Sequence, residues 1–297
     1  MNNKTIDPNK EIVVIYHGSC NDGFCGAFLF WLILGDKASY YAGYYNEPAP
    51  DVTGKIVYIV DFSYPEAEIY KIAETAKELI WLDHHASVEE LAAKVAETTD
   101  KSKVIVDFDN NRSGARLAYD FIMNMTSPEV DGYNDVKVRE WLVNYVQDYD
   151  LWTFKLEDTK AVNLAIRSER MTFKNWLEFS ETDLVSSGRA VKAYHDAKIN
   201  EVVRLAYQKN VLGHEVMIVN CNGMFASEVG NELAKDKPFS LSWWYDGKNK
   251  MFVFSLRSDQ KGVDVGELAK SVGGGGHKHA AGFKLKPEDV DKILDLE

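Results

Sequence analysis

Apolar residues run almost unbroken through four short stretches early in the chain, and a segment with helical spacing follows each one. Residues 11–17 (EIVVIYH), 55–62 (KIVYIVDF), 79–85 (LIWLDHH) and 103–109 (KVIVDFD) read as strands buried on both faces. Helices are predicted over 24–34, 65–77, 88–96 and from about Ser113 onward, and residues 40–45 add a further strand. This alternation defines the fold class as α/β, a parallel sheet with helices on both faces. Sheets of this kind collect functional residues beyond the C-terminal ends of their strands.

From about residue 135 to 212 the strand pattern stops and helices are predicted, with a long one over roughly 190–212. Strands return at 215–221 (EVMIVNC), followed by a helix over 226–235. A hairpin is predicted from 239–245 and 250–257, turning at Asp246-Gly247. A short helix over 264–271 leads into Gly273-Gly274-Gly275-Gly276, and 284–286 is strand-like. The expected organisation is a metal-binding domain over 1–184, a helical linker over 185–212 and a smaller α/β domain over 213–297.

Composition narrows the class. No run approaches the roughly 18 apolar residues of a membrane span, and the polar start MNNKTIDPNKE lacks the apolar core of a signal peptide. A cytoplasmic protein without membrane contact is expected. Cys20, Cys25 and Cys221 are too few and too scattered for a disulfide framework or a structural zinc pair. The net charge of −12 argues against a grip on long duplex nucleic acid, which needs many cationic phosphate contacts. A nucleic-acid partner would have to be short and locally held.

The chemistry lies at the predicted strand ends. His17 closes the first strand, and Asp22 follows in a tight Ser-Cys-Asn-Asp-Gly turn. Asp61 closes the second, and Asp83-His84-His85 the third; Asp148 and Asp150 follow an apolar helix. A single Asp after a strand is commonly a helix cap, and a His pair is commonly a surface feature. Here four segments deliver such residues to one sheet edge. Crowded carboxylates repel unless cations lie between them. Mixed Asp and His donors without paired thiols suit Mn²⁺, and Mg²⁺ less well, with two ions able to share a bridging carboxylate.

The glycine run is the second feature. Gly274, Gly275 and Gly276 permit close approach of backbone N–H groups to an anion, and His277 and Arg257 can add cationic donors. A flexible linker is the plainer alternative, but linkers do not normally run straight into a His-Lys-His-Ala-Ala-Gly-Phe segment.

In this order the motifs resemble the DHH phosphoesterase superfamily. Asp83-His84-His85 after an apolar strand is similar to the tripeptide that names it. His17 with Cys20-Asn21-Asp22-Gly23 resembles the first motif, Val60-Asp61-Phe62-Ser63 the second and Asp148 before Leu151-Trp152 the fourth. Ser113-Gly114-Ala115 matches a further shared segment. The run from Gly274 to Phe283 is similar to the glycine-rich motif of the DHH-associated substrate domain, in the branch that includes RecJ-like and nanoRNase-like oligonucleotide phosphodiesterases.

The resemblance implies two domains around a cleft, two Mn²⁺ ions in the first and substrate binding by the second. Asp22, Asp61, His84 and Asp148 would hold one ion; His17 and Asp61 would hold the other, with Asp61 bridging. Asp83 would orient His84, and His85 would sit near the scissile phosphate. Ser113, Arg257, Gly274, Gly275, Gly276 and His277 would contact substrate. One position departs: Cys20 stands where an aspartate is usual. Thiolate suits Mn²⁺ poorly, so Cys20 reads as a packing neighbour, with the first ion bound weakly through His17, Asp61 and water.

The implied function is metal-dependent hydrolysis of phosphodiester bonds in a nucleotide or short single-stranded oligonucleotide, as in a nanoRNA or short-DNA exonuclease. Alternatives are a cyclic-dinucleotide phosphodiesterase, a 3′-phosphoadenosine phosphatase, a pyrophosphatase, or a nucleotide-binding protein without catalysis. An oligomer is compatible with all of them.

Overall fold

The computed structural model describes residue 7 and residues 9–294, so most of the polar N-terminal stretch lies outside the described residues. The chain divides into two compact units, 1–192 and 193–297.

The first unit contains β1 (Ile12–His17), α1 (Asn21–Leu34), β2 (Ala38–Gly43), β3 (Ile56–Val60), α2 (Glu66–Thr75), β4 (Glu78–Asp83), α3 (Glu89–Thr98), β5 (Val104–Phe108) and α4 (Gly114–Met125). Helices α5 (Tyr133–Lys137), α6 (Glu140–Asp150), α7 (Thr159–Ser168), α8 (Phe173–Leu177) and α9 (Glu181–Val203) follow, and the division between units falls within α9. The five strands form one parallel sheet in the order β2-β1-β3-β4-β5. Side-chain alternation explains its two cores. Val14 and Tyr16 face a cluster with Phe24, Phe28, Leu142 and Trp176, under α1, α4, α6 and α8. Val13 and Ile15 face the other, with Ile59, Ile69 and Trp81, under α2 and α3. Fully buried side chains such as Ile15, Ile59 and Leu79 each contribute about 1.5–3 kcal/mol. Successive connections leave β1 and β3 in opposite directions across the sheet. The crevice beyond their C-terminal ends is the switch point where α/β folds place ligands.

The second unit contains β6 (Tyr207–Val211), β7 (His214–Asn220), α10 (Ala226–Leu233), β8 (Ser240–Asp246), β9 (Met251–Arg257), α11 (Val265–Ser271), β10 (Gly275–His277), β11 (Ala280–Leu285) and α12 (Asp291–Leu294). Its sheet runs β10-β11-β9-β8-β7-β6 and is antiparallel except between β7 and β8, which α10 connects. Among the described residues no helix is long and apolar enough to cross a membrane.

Three elements differ from the sequence expectation. The long helix expected over 190–212 ends at Val203, and β6 follows. This edge strand is mostly exposed and polar, so it carries no apolar run; Leu212 and Gly213, both with positive φ, turn it into β7. The β8–β9 hairpin forms, but Asp246 pairs with Met251. Asp246 caps the wider loop by accepting hydrogen bonds from the Lys248 and Asn249 amides. The glycine run is not an open loop throughout, because Gly275–His277 forms strand β10 beside β11.

Candidate metal centre and C-terminal phosphate row

The first centre is built where the β1/β3 crevice opens. Asp61, the residue after β3, is 1% exposed and takes a left-handed backbone angle (φ 56°), uncommon for a residue with a side chain. Its amide donates to the Leu82 carbonyl at 2.9 Å, which pins the turn to β4. Asp22 lies in the first turn of α1. Its two oxygens accept hydrogen bonds from the Gly114 and Ala115 amides at 2.6 and 3.0 Å, so it caps α4 from outside that helix. A side chain on Gly114 would have its Cβ 2.4 Å from Asp61 Cβ and 3.0 Å from Asp22 Oδ2, which explains the glycine.

Histidines complete the cluster. His84 Nε2 is 3.1 Å from Asp61 Oδ1, 3.5 Å from Asp150 Oδ2 and 3.8 Å from Asp22 Oδ2. His17 Nδ1 stands 3.6 Å from Asp61 Oδ2, beyond hydrogen-bond range, and both atoms are buried without hydrogen-bond partners. Two sets of donors have their ligand atoms within 4.8 Å of one another: His17, Asp61 and His85, and Asp22, Asp61 and His84. Asp61 belongs to both. Nitrogen and carboxylate donors, two of them buried and unmet, fit a pair of divalent ions.

Electrostatics agree with a site that calls for cations. Burial raises the Asp22 pKa well above the carboxylate range, and the charges of Asp61 and Asp150 add to the rise. Asp150 is pushed up to about 6 by desolvation and then by Asp61, its side chain being 26% exposed although the residue lies at the surface. Burial opposes the charged form of His84, yet its hydrogen bond to Asp61 and the charges of Asp22 and Asp150 raise it to about 9. Burial also opposes the ionised form of Asp61, but the neighbouring imidazoles of His17, His84 and His85 hold its pKa below the usual range. In effect protonated histidine supplies the positive charge that these carboxylates demand.

Several expected roles move. Asp148 was expected at the ions; instead its carboxylate is 6% exposed and fully engaged in the loop after α6. It accepts hydrogen bonds from the Lys155 and Leu156 amides at 2.8 and 3.0 Å and from the Thr153 and Thr159 hydroxyls. Asp150 is the residue that approaches His84. Its signal lay in helical phase, since Val143, Val146 and Asp150 form one stripe on α6. Asp83 does not orient the His84 ring: its Oδ1 accepts from the His84 and His85 amides and from His85 Nδ1 at 2.7 Å. It therefore positions His85, which stands with His17 and Asp61. Ser113 is fully buried and caps α4 by accepting from the Arg116 amide at 3.3 Å, so it lies beneath the site, out of a substrate's reach. Cys20 immediately precedes α1 as its cap residue and belongs to neither donor set. Burial, then the charges of Asp61, Asp22 and Asp150, push its thiol well up, keeping it neutral.

In the second unit, strand register places Arg257, Ala280 and His277 in one row across β9, β11 and β10. The outer two are roughly 10 Å apart from strand spacing, with only a methyl group between them. Arg257 donates to the Ser255 and Ser227 hydroxyls at 3.0 and 2.8 Å, and burial lowers its pKa. His277 is exposed. The glycines have different reasons. A Cβ on Gly274 would meet the Gly282 carbonyl at 2.3 Å, and Gly276 has φ 145° against Ala281, whereas Gly275 faces open space. Gly274 and Gly276 thus serve close backbone packing, and Gly275 leaves room.

A parallel α/β unit with an Asp/His centre at its switch point, followed by a mixed-sheet unit, defines a recognisable class of two-unit proteins. The DHHA1 domain matches residues 222–296. An uncharacterized protein of Acanthamoeba polyphaga mimivirus is 26% identical over 307 residues, covering 95% of this chain and 69% of that protein. Similar folds occur in an exopolyphosphatase-related protein from Bacteroides fragilis (TM-score 0.54, 15% identity, 97% of this chain and 91% of that one) and in a pGpG-specific phosphodiesterase from Vibrio cholerae (0.51, 15%, 95% and 96%). RecJ from Thermus thermophilus, solved in complex with Mn²⁺, is similar at TM-score 0.50 and 13% identity, over 94% of this chain and 50% of that one. The family match lies in the second unit, and the solved structures show a shared fold over nearly the whole chain.

Proposed function

We propose that this protein is a divalent-metal-dependent phosphodiesterase that cleaves short single-stranded oligonucleotides, with Mn²⁺ as its ion. The observation that carries this reading is Asp61, one carboxylate shared by two donor sets at a sheet switch point. Asp22, Asp61, His84 and Asp150 would hold one ion, and His17, Asp61 and His85 the other. Held there, such ions would supply acidification of a bound water and neutralisation of phosphate charge. Asp83 fixes the His85 ring through Nδ1, so that Nε2 would be the nitrogen offered to an ion or the phosphate. The Arg257–His277 row would meet other substrate phosphates, with Gly275 admitting them closely. A short substrate agrees with the net charge of −12 and with the dinucleotide named for the Vibrio relative.

The test is hydrolysis of 5′-phosphorylated di- to pentanucleotides with added Mn²⁺. Mononucleotide release that stops on chelation is expected. Asp61→Ala should lower the rate by about 1,000-fold while circular dichroism stays that of the wild type. Near wild-type turnover by that variant at saturating Mn²⁺ would sink the reading.

A further inference from the structure

A pocket of about 310 Å³ opens in the first unit directly beside the proposed ion ligands. Cys20 and Asp22 from the start of α1, Tyr149 and Asp150 from the end of α6, and Asn163 and Arg167 from α7 all line it. Its volume is at the low end of small-ligand sites, enough for one nucleoside-sized group.

Asn163 makes this more than a surface dent. The residue is 1% exposed, and its amide nitrogen donates to the carbonyls of Tyr145 and Thr159 at 2.8 and 3.0 Å. Both partners are acceptors, so the orientation of the amide is fixed. Its Oδ1 is then left buried with no hydrogen-bond partner. An unmet buried acceptor costs about 1–3 kcal/mol, and native proteins seldom keep one without a use. Arg167 lies four residues further along α7, on the same helix face, and its planar guanidinium offers several donors to a phosphate. Val146 and Met171 supply apolar wall.

The complementary ligand therefore has an N–H or O–H donor for Asn163, a flat apolar body, and an anionic group for Arg167. We propose that this pocket seats the nucleoside adjoining the scissile phosphate, with Asn163 Oδ1 accepting from its base or ribose and Arg167 meeting the next phosphate along the strand. The assignment rests on reading the neighbouring centre as a phosphodiesterase site.

Calorimetric titration of the intact protein with a 5′-phosphorylated triadenylate carrying non-hydrolysable methylenephosphonate linkages tests it. Arg167→Met, a change on an exposed part of α7, should weaken binding about 10-fold. Asn163→Leu should do the same, and if it fails to fold, Arg167→Met alone decides. The deoxyribose form of the probe separates two sources of the donor. A matching loss assigns the Asn163 bond to ribose, and undiminished binding assigns it to the base. Binding within twofold of wild type by both folded variants overturns the proposal, as does a wild-type protein that does not bind the probe. Failure of the wild type to hydrolyse any oligonucleotide would count against the phosphodiesterase reading alone, because the titration needs no turnover.

Discussion

Asp148 and Asp150 stand one residue apart at the end of α6 and carry opposite burdens. Asp148 is stabilised as an anion: although burial raises its pKa, the Thr153 and Thr159 hydroxyls and the Leu156 and Lys155 amides lower it below the usual range. Those bonds hold a loop in which Trp152 and Phe154 both take positive φ. Asp150 is destabilised as an anion and faces His84. Asp148→Asn should therefore lower stability by about 2–4 kcal/mol while leaving Mn²⁺ stoichiometry intact. Asp150→Asn should keep the melting temperature, or raise it slightly, and weaken one ion. Differential scanning calorimetry and Mn²⁺ titration read the two effects, and a reversed pattern would return the ligand role to Asp148. Both aspartates are visible in the sequence. Their division of labour depends on which donors the following loop brings back, and no spacing rule encodes that.

At the level of elements, the centre depends on how closely α4 approaches the β3 turn. Gly114 lets the helix end reach Asp22 and Asp61 together. Gly114→Ala would place its Cβ against backbone-held atoms of Asp61, where neither neighbour can swing away. A loss of about 1–3 kcal/mol is expected, with Mn²⁺ affinity falling at least about 10-fold. An alanine variant that melts and binds Mn²⁺ like the wild type would show that this contact relaxes freely. The strands and helices of the first unit were legible because buried parallel strands announce themselves as continuous apolar runs. Strand β6 was not, because an edge strand exposing Tyr207, Gln208 and Asn210 looks like any polar segment. The glycine run was legible as a place of close approach. That Gly274 and Gly276 are needed for close packing against β11, while Gly273 and Gly275 face open space, depends on partners elsewhere in the chain.

For the molecule as a whole, the parallel α/β class followed from pattern, and the gathering of His17, Asp22, Asp61, His84 and His85 followed from where such sheets place their strand ends. The pocket beside them was not legible, since Asp22, Tyr149 and Asn163 come from three helices whose packing no motif records. One feature of that gathering ties folding to occupancy. Asp22 is at once the cap of α4 and a member of a donor set, so ion binding and the integrity of that helix form a single linked equilibrium. An ion that binds only the ordered arrangement stabilises it by about 2.7 kcal/mol at a free concentration 100 times its dissociation constant. Without it, burial and the charges of Asp61 and Asp150 push the Asp22 carboxyl toward its neutral form, which accepts the Gly114 and Ala115 amides less strongly. Deuterium exchange followed by mass spectrometry should then find the Gly114 and Ala115 amides exchanging faster in a chelator than with Mn²⁺. Amides such as those of Ile218 and Phe254, in the second unit, should keep their rates. Equal exchange at Gly114 in both conditions would mean that the cap holds without the ion. The opening turn of α4 would otherwise serve as the protein's own gauge of whether its centre is filled.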